Sequence, residues 1–125
     1  MDERDRYEAG IKMRRAILGD AHVDASLAKR DELTTDFQNL ITRYAWGEIW
    51  SRPGLPPQTR SLITITMLVA LNREEELRLH LRAALKNGVT QEEIREALLQ
   101  SAIYCGVPAA NSAFRVAQEI FSTKS

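Results

Sequence analysis

The chain has 125 residues, one ordinary domain's worth. At 44% hydrophobic and 27% charged it suits a packed globular protein and is too apolar for a disordered one. Seventeen basic residues balance seventeen acidic ones. No net charge therefore draws the protein to nucleic acid or an anionic membrane, and little opposes self-association. The single cysteine, Cys105, excludes an internal disulfide framework and an all-cysteine metal cage. No apolar run is long enough for a membrane span, and Met1 to Arg6 is charged with no apolar stretch behind it. The expectation is a soluble cytoplasmic protein without a signal peptide.

The periodicity along the chain is helical throughout, which predicts an all-α protein of about six helices. Residues 3–18 read as a polar helix with a thin stripe of Tyr7, Ile11 and Leu18, weakened by Gly10 and stopped by Gly19-Asp20. A short helix follows near 23–29. This N-terminal arm, residues 1–30, buries little by itself, which suggests that it lies on another surface. The remaining residues, 34–122, form the expected core of a single domain. A helix from Thr34 or Thr35 sets Phe37, Leu40, Ile41, Tyr44, Ala45 and Glu48 on one amphipathic face. The Pro-rich stretch after Ser51 ends it.

Residues 58–71 are apolar almost all round and predict a central buried helix. A helix over 73–86 carries Leu77, His80, Leu81, Ala84 and Leu85 on one side, and Asn87-Gly88 closes it. Thr90-Gln-Glu-Glu93 is a capping box. It opens a helix with Ile94, Ala97, Leu98, Ser101, Ala102 and Cys105 inward. Leu99 and Ile103 give that helix a second apolar side, which suggests burial or an interface. Gly106-Val-Pro108 precedes a last helix with Ala110, Ala113, Phe114, Ala117 and Phe121 inward.

Two polar residues interrupt apolar faces, Glu48 and His80. Burial of a carboxylate disfavours its charged form, and an imidazole exchanges protons near neutral pH. They could form a proton-transfer pair if the fold brings them together. A structural histidine and an outward glutamate explain the same pattern. Glu76 stands four residues before His80, within reach on a helix, but Glu74 to Glu76 also suit the positive end of a helix dipole. Trp46, Trp50 and Tyr44 precede a loop flanked by Arg52 and Arg60, a combination fit for a small unsaturated anion or for simple packing. His22 lacks a patterned neighbourhood and reads as surface. Cys105 reads as a buried small hydrophobe. Two histidines without ligand spacing make a zinc site unexpected.

Several stretches together carry a resemblance. They are Arg14-Arg-Ala-Ile-Leu-Gly-Asp-Ala-His-Val23, Arg43-Tyr-Ala-Trp-Gly-Glu-Ile-Trp-Ser-Arg-Pro-Gly-Leu55, Thr59-Arg-Ser-Leu62, Arg73 to Thr90 and Leu99 to Asn111. With them the chain resembles the carboxymuconolactone decarboxylase family of the alkylhydroperoxidase-D-like superfamily. The resemblance implies an all-α fold assembled as a homohexamer. It also implies decarboxylation of 4-carboxymuconolactone to β-ketoadipate enol-lactone in protocatechuate catabolism, the β-ketoadipate pathway. The peroxidase branch carries Cys-x-x-Cys ahead of its helical histidine; here those positions are Arg73 and Glu76, so a disulfide relay is not expected.

The implied substrate delocalises the electron pair left by CO2 into its own lactone carbonyl. No metal, pyridoxal phosphate or thiamine is then needed. The roles implied are His80 as proton donor or oxyanion partner, Glu48 as its acid–base companion and Glu76 as a secondary candidate. Arg60 and Arg52 hold carboxylates; Trp46, Trp50 and Tyr104 wall the pocket. A related lactone-processing or isomerising enzyme acting on a different small carboxylate, and a non-catalytic helical oligomerisation module, are the alternatives.

Overall fold

The computed structural model describes residues 1–122. It is all-α, with seven helices among the described residues rather than about six. They are α1 (Glu3–Leu18), α2 (Asp20–Ala28), α3 (Thr35–Leu40), α4 (Pro57–Ala70), α5 (Glu74–Lys86), α6 (Gln91–Cys105) and α7 (Val107–Ser122). Helix α3 runs on as a π-helix over Ile41–Trp50. The chain forms two compact units, Met1–Pro57 and Gln58–Ser125.

In the first unit, α1 starts at Asp2, whose side chain accepts from the Asp5 amide at 2.8 Å. It ends at Gly19, where φ is 90°. Helix α1 packs on the π segment, and two glycines permit the close approach. A Cβ placed on Gly10 would lie 1.9 Å from the Thr42 carbonyl oxygen. One on Gly47 would lie 2.3 Å from the Arg6 carbonyl oxygen. Gly10, which weakens α1 by propensity, is thus what lets the two backbones touch.

The buried face of this pair differs from the expected one. Phe37, Leu40, Tyr44 and Ala45 are exposed, and Thr42, Trp46 and Gly47 are buried. The reason is the hydrogen-bond period. In a π-helix the bond runs to i+5, not i+4, so side chains four and five apart share a face. Thr42, Trp46 and Gly47 have that spacing; the expected stripe assumed 3.6. Helix α1 shows a related shift. Tyr7, Ile11 and Leu18 are half-buried, while Gly10, Arg14 and Ile17 point fully inward.

The second unit has a continuous apolar core. Ile65 and Val69 of α4, Leu77 and Leu81 of α5, Ile94 and Leu98 of α6, and Val116 and Ile120 of α7 meet in it. Each side chain so buried contributes roughly 1.5–3 kcal/mol of transfer free energy. Helix α7 packs on both α5 and α6 through small residues, Ala113 and Ala117 among them. Arg78 of α5 also reaches Glu119 of α7, with Nε to Oε2 at 2.7 Å.

Both expected helix boundaries at residues 87–93 are present. The Val89 amide donates to the Ala84 carbonyl at 2.9 Å and the Gly88 amide to Leu85 at 3.2 Å. Gly88 takes φ 97°, which completes a Schellman closure. Thr90 Oγ1 accepts from the Glu93 amide and the Glu93 carboxylate accepts from the Thr90 amide.

Helix α4 is not buried all round. Ser61, Ile65 and Val69 face the core, but Ile63, Met67 and Leu71 are exposed in the single chain. On α6, Leu99 and Ile103 are likewise exposed. No helix among the described residues is long and apolar enough to cross a membrane.

Candidate active site

Each unit carries part of the candidate set. In the first, the π segment displays Tyr44, Trp46, Glu48 and Trp50. Trp46 is buried, and its ring stacks on Trp50 with centroids 4.9 Å apart and planes at 27°. The Ser51 hydroxyl donates to the Trp46 carbonyl at 2.8 Å and ties off the segment. Of the three aromatics expected to cluster before the Pro-rich loop, Trp46 and Trp50 stack on each other, whereas Tyr44 is exposed and engages Glu3 and Arg6.

Glu48 is not sunk in an apolar face. Its side chain is 37% exposed, and both carboxylate oxygens are engaged by arginines. Oε1 accepts from Arg6 Nε at 3.2 Å and lies 3.2 Å from Arg6 Nη2. Oε2 accepts from Arg52 Nη1 at 3.3 Å. Arg52, expected to hold a substrate carboxylate, thus holds a carboxylate of the protein in this structure, and its own side chain is 60% exposed.

Arg6 is a residue the sequence reading missed. It pairs with Glu3 as well as Glu48, and its guanidinium carbon lies 5.1 Å from the Tyr44 ring centroid. Tyr44 donates its hydroxyl to Glu3 Oε2 at 2.8 Å, and Arg43 Nε reaches the same oxygen at 3.2 Å. The hydrogen bond from Tyr44 holds the Glu3 carboxyl below its ordinary value; partial burial opposes this and Arg6 and Arg43 add to it. A signal was available. Arg6, Gly10 and Arg14 recur every four residues on α1 and run into Ile17, so one helix face carries glycine and arginines instead of apolar residues.

Arg14 lies on that face and is buried. It donates to Gln38 Oε1 at 3.1 Å and Thr42 Oγ1 at 3.3 Å. Both partners are neutral, and no carboxylate among the described residues pairs with it. Burial lowers its proton affinity from the usual arginine value. His22, read as surface, is half-buried. Burial chiefly, then the charges of Arg14 and Lys29, hold its imidazole below the ordinary 6.5.

In the second unit, His80 is half-buried on α5, next to the core residues Leu77 and Leu81. Glu76 sits exposed in the first turn of α5 and makes no hydrogen bond or ion pair with a described residue. Arg60 is half-buried in the first turn of α4. Tyr104 is 83% exposed. It stands with Cys105 on a groove of about 1100 Å³ between α4 and α6, lined by Leu62, Thr66, Met67 and Leu99. Among the described residues no cluster of three His, Cys, Asp or Glu side chains could hold a metal ion.

A sequence profile of the carboxymuconolactone decarboxylase family matches residues 35–119. The chain belongs to the carboxymuconolactone decarboxylase family. The match runs from the start of α3 to near the end of α7, and so includes Trp46, Glu48, Arg60, His80 and Tyr104. Within the family, the chain is 51% identical to 4-carboxymuconolactone decarboxylase of Acinetobacter baylyi, over 97% of this chain and 90% of that one. It is 43% identical to a nitrosuccinic acid decarboxylase of Metarhizium robertsii, over 90% of this chain and 79% of that one. A further relative, 4-carboxymuconolactone decarboxylase of Pseudomonas putida, is 54% identical over its whole length and 38% of this chain.

Proposed function

We infer that the protein decarboxylates 4-carboxymuconolactone to β-ketoadipate enol-lactone and CO2, in protocatechuate catabolism. The observation that carries this is the 51% identity to a decarboxylase of that name across almost the entire chain. The substrate is an unsaturated five-membered lactone. One ring carbon, bonded to the ring oxygen, bears both the leaving carboxylate and an acetate arm. The bond from that carbon to the carboxylate breaks, and CO2 leaves. The electron pair moves through the ring double bond into the lactone carbonyl as a dienolate. Protonation of the ring carbon beside the carbonyl completes the reaction. The acceptor belongs to the substrate, so the chain's residues need only bind, orient, stabilise the oxyanion and deliver a proton.

In this reading His80 delivers the proton or donates to the developing oxyanion. Its half-buried place on α5 supports the role, since imidazole is the side chain that ordinarily exchanges protons near neutral pH. Glu48 is the acid–base companion, and Glu76 is secondary. Arg60 and Arg52 take substrate carboxylates, and Trp46, Trp50 and Tyr104 exclude water. The protein works in the cytoplasm as a homohexamer. What supports assembly is the exposed apolar surface of the single chain, with Ile103 at 80% and Tyr104 at 83% on α6, and Met67 and Leu71 also exposed.

A second reading follows from the 43% identity to a nitrosuccinic acid decarboxylase. Nitrosuccinate also bears its leaving carboxylate on a carbon that carries an electron sink and a carboxymethyl arm. Loss of CO2 leaves the pair on the nitro group as a nitronate, and protonation at carbon gives 3-nitropropanoate.

Purified protein, with chelator and no added cofactor, is assayed by absorbance on freshly made 4-carboxymuconolactone and on nitrosuccinate. Faster turnover of the lactone supports the first reading; faster turnover of nitrosuccinate supports the second. Folded but inactive protein on both returns the oligomerisation-module alternative. An undiminished rate in His80→Ala removes the central role of His80, and a fully active Glu48→Gln makes Glu48 structural.

A further inference from the structure

We propose that Arg6 is the positioning residue for Glu48, fixing its Oε1 and leaving Oε2 as the oxygen that serves the reaction. This rests on the reading that Glu48 takes part in catalysis. The two arginines on Glu48 are unlike. Arg6 begins from a pinned backbone: a Cβ on Gly47 would meet the Arg6 carbonyl oxygen at 2.3 Å and Arg6 Cγ at 3.0 Å. The residue beside Glu48 therefore touches the base of the arginine that binds it. The Arg6 side chain is 18% exposed. Its fork is occupied on separate sides, by Glu48 through Nε and Nη2 and by Glu3 through Nη1, with the Tyr44 ring 5.1 Å away. A planar guanidinium so braced holds one carboxylate oxygen in place.

Arg52 is bound differently. Its Nη1 donates to Oε2 at 3.3 Å from one turn along the same segment, and its side chain is 60% exposed, against 18% for Arg6. An exposed contact of this kind contributes little and exchanges readily. In the proposal a substrate carboxylate competes for Arg52, the more exposed of the two arginines, and opens Oε2 while Arg6 keeps Oε1. Glu48 then keeps its position with one oxygen open. Arg6 itself touches no reacting atom.

The test uses the full chain and 4-carboxymuconolactone, comparing Arg6→Gln, Glu48→Gln and the double variant. Arg6→Gln should lower kcat on the order of tenfold to a hundredfold, because misplaced catalytic groups cost that much. KM should move far less. In the Glu48→Gln background the same change should cost less than about twofold, since residues acting through one another are not additive. Arg6→Lys, which keeps the charge and loses the fork, should recover only part of the rate and stands in if Arg6→Gln does not fold. Arg4→Gln, at the exposed pair with Glu8, should keep full activity. An equal loss from Arg6→Gln in both backgrounds, or a rise in KM alone, overturns the proposal. Full activity in Glu48→Gln refutes the underlying reading instead, whatever Arg6 does.

Discussion

Alanine at Gly10 tests the helix crossing that builds the first unit. In an isolated helix Gly→Ala gains about 0.8–1.0 kcal/mol. Here the new Cβ would sit 1.9 Å from the Thr42 carbonyl oxygen, where ordinary contact begins at 3.4 Å. The two backbones must separate by the difference of those distances, because neither is a flexible side-chain end. That movement also pulls Thr42 from Arg14, whose hydrogen bond is already 3.3 Å. Overpacking costs roughly 1–3 kcal/mol even against side chains, so the upper end applies against a carbonyl. Subtracting the propensity gain leaves a loss of about 2 kcal/mol. At roughly 4 °C per kcal/mol this lowers Tm by about 8 °C. Urea unfolding at fixed protein concentration measures it. Gly54→Ala is the control: nothing lies within 4 Å of its Cβ, so it should be neutral or slightly stabilising. Gly47→Ala strains the same crossing, so the double variant should lose less than the sum. A Gly10→Ala protein as stable as the parent would refute the close approach.

Three further outcomes are expected. Thr42→Val removes an acceptor from the buried Arg14 and should cost about 1 kcal/mol or more by urea unfolding, whereas Thr42→Ser keeps it and should cost less. His22 resists protonation when folded, and an unfolded histidine titrates near 6.5. The unfolded state therefore binds the extra proton first, and stability should fall as pH drops below about 6.5 towards the folded value. His22→Gln should flatten that slope in denaturation curves taken at successive pH values from neutral to below 6.5. Ile103→Lys places a charge on the most exposed apolar stretch of α6. Sedimentation should then give a smaller particle with unchanged helical circular dichroism; an unchanged particle size would place the interface elsewhere.

Helix order and most ends were legible because they depend on local rules, although the described residues form seven α-helices rather than about six. The Asn87-Gly88 closure and the Thr90–Glu93 box lie where spacing puts them. So does the inward face of α5; on α7 Ala110, Ala113 and Ala117 are inward as expected, but the large side chains fully buried are Val116 and Ile120 rather than Phe114 and Phe121. The second half of the third helix was not legible, since nothing in a 3.6 period announces a switch to i+5 bonding. Its inward Thr42 and Gly47 are also not apolar enough to attract notice. Gly10 was misjudged for a general reason. Propensity scales record what glycine costs a lone helix, not what it allows a partner to do. On α4 the apolar pattern predicted burial all round, whereas the single chain covers only the side of Ser61, Ile65 and Val69. Among site residues, the aromatic pair and the Glu48–Arg52 contact were within reach because they are four apart on one segment. Arg6 to Glu48 spans 42 residues, and no local pattern joins them.

The zero net charge and the ion pairs of the first unit bear on each other. A di-anionic substrate meets no net attractive field, so long-range steering can add little to its capture. Attraction has to come from local cations, and these are largely committed. Arg43 serves Glu3, Arg6 serves Glu3 and Glu48, and Arg52 serves Glu48. A carboxylate binding there must exchange with a carboxylate of the protein, and exchange is easiest where the pair is most hydrated. That favours Arg52 over Arg6. Exchange also leaves net charge in the cluster more negative by the incoming carboxylate. A second substrate carboxylate would then be held less well by the same arginines; when CO2 leaves, its negative charge stays on the substrate as the dienolate and moves to the lactone oxygen, away from the site of the departing carboxylate, until a proton arrives. What the site has to stabilise is therefore the relocated charge on the lactone oxygen, since only interactions stronger in the transition state than in the bound substrate accelerate the step.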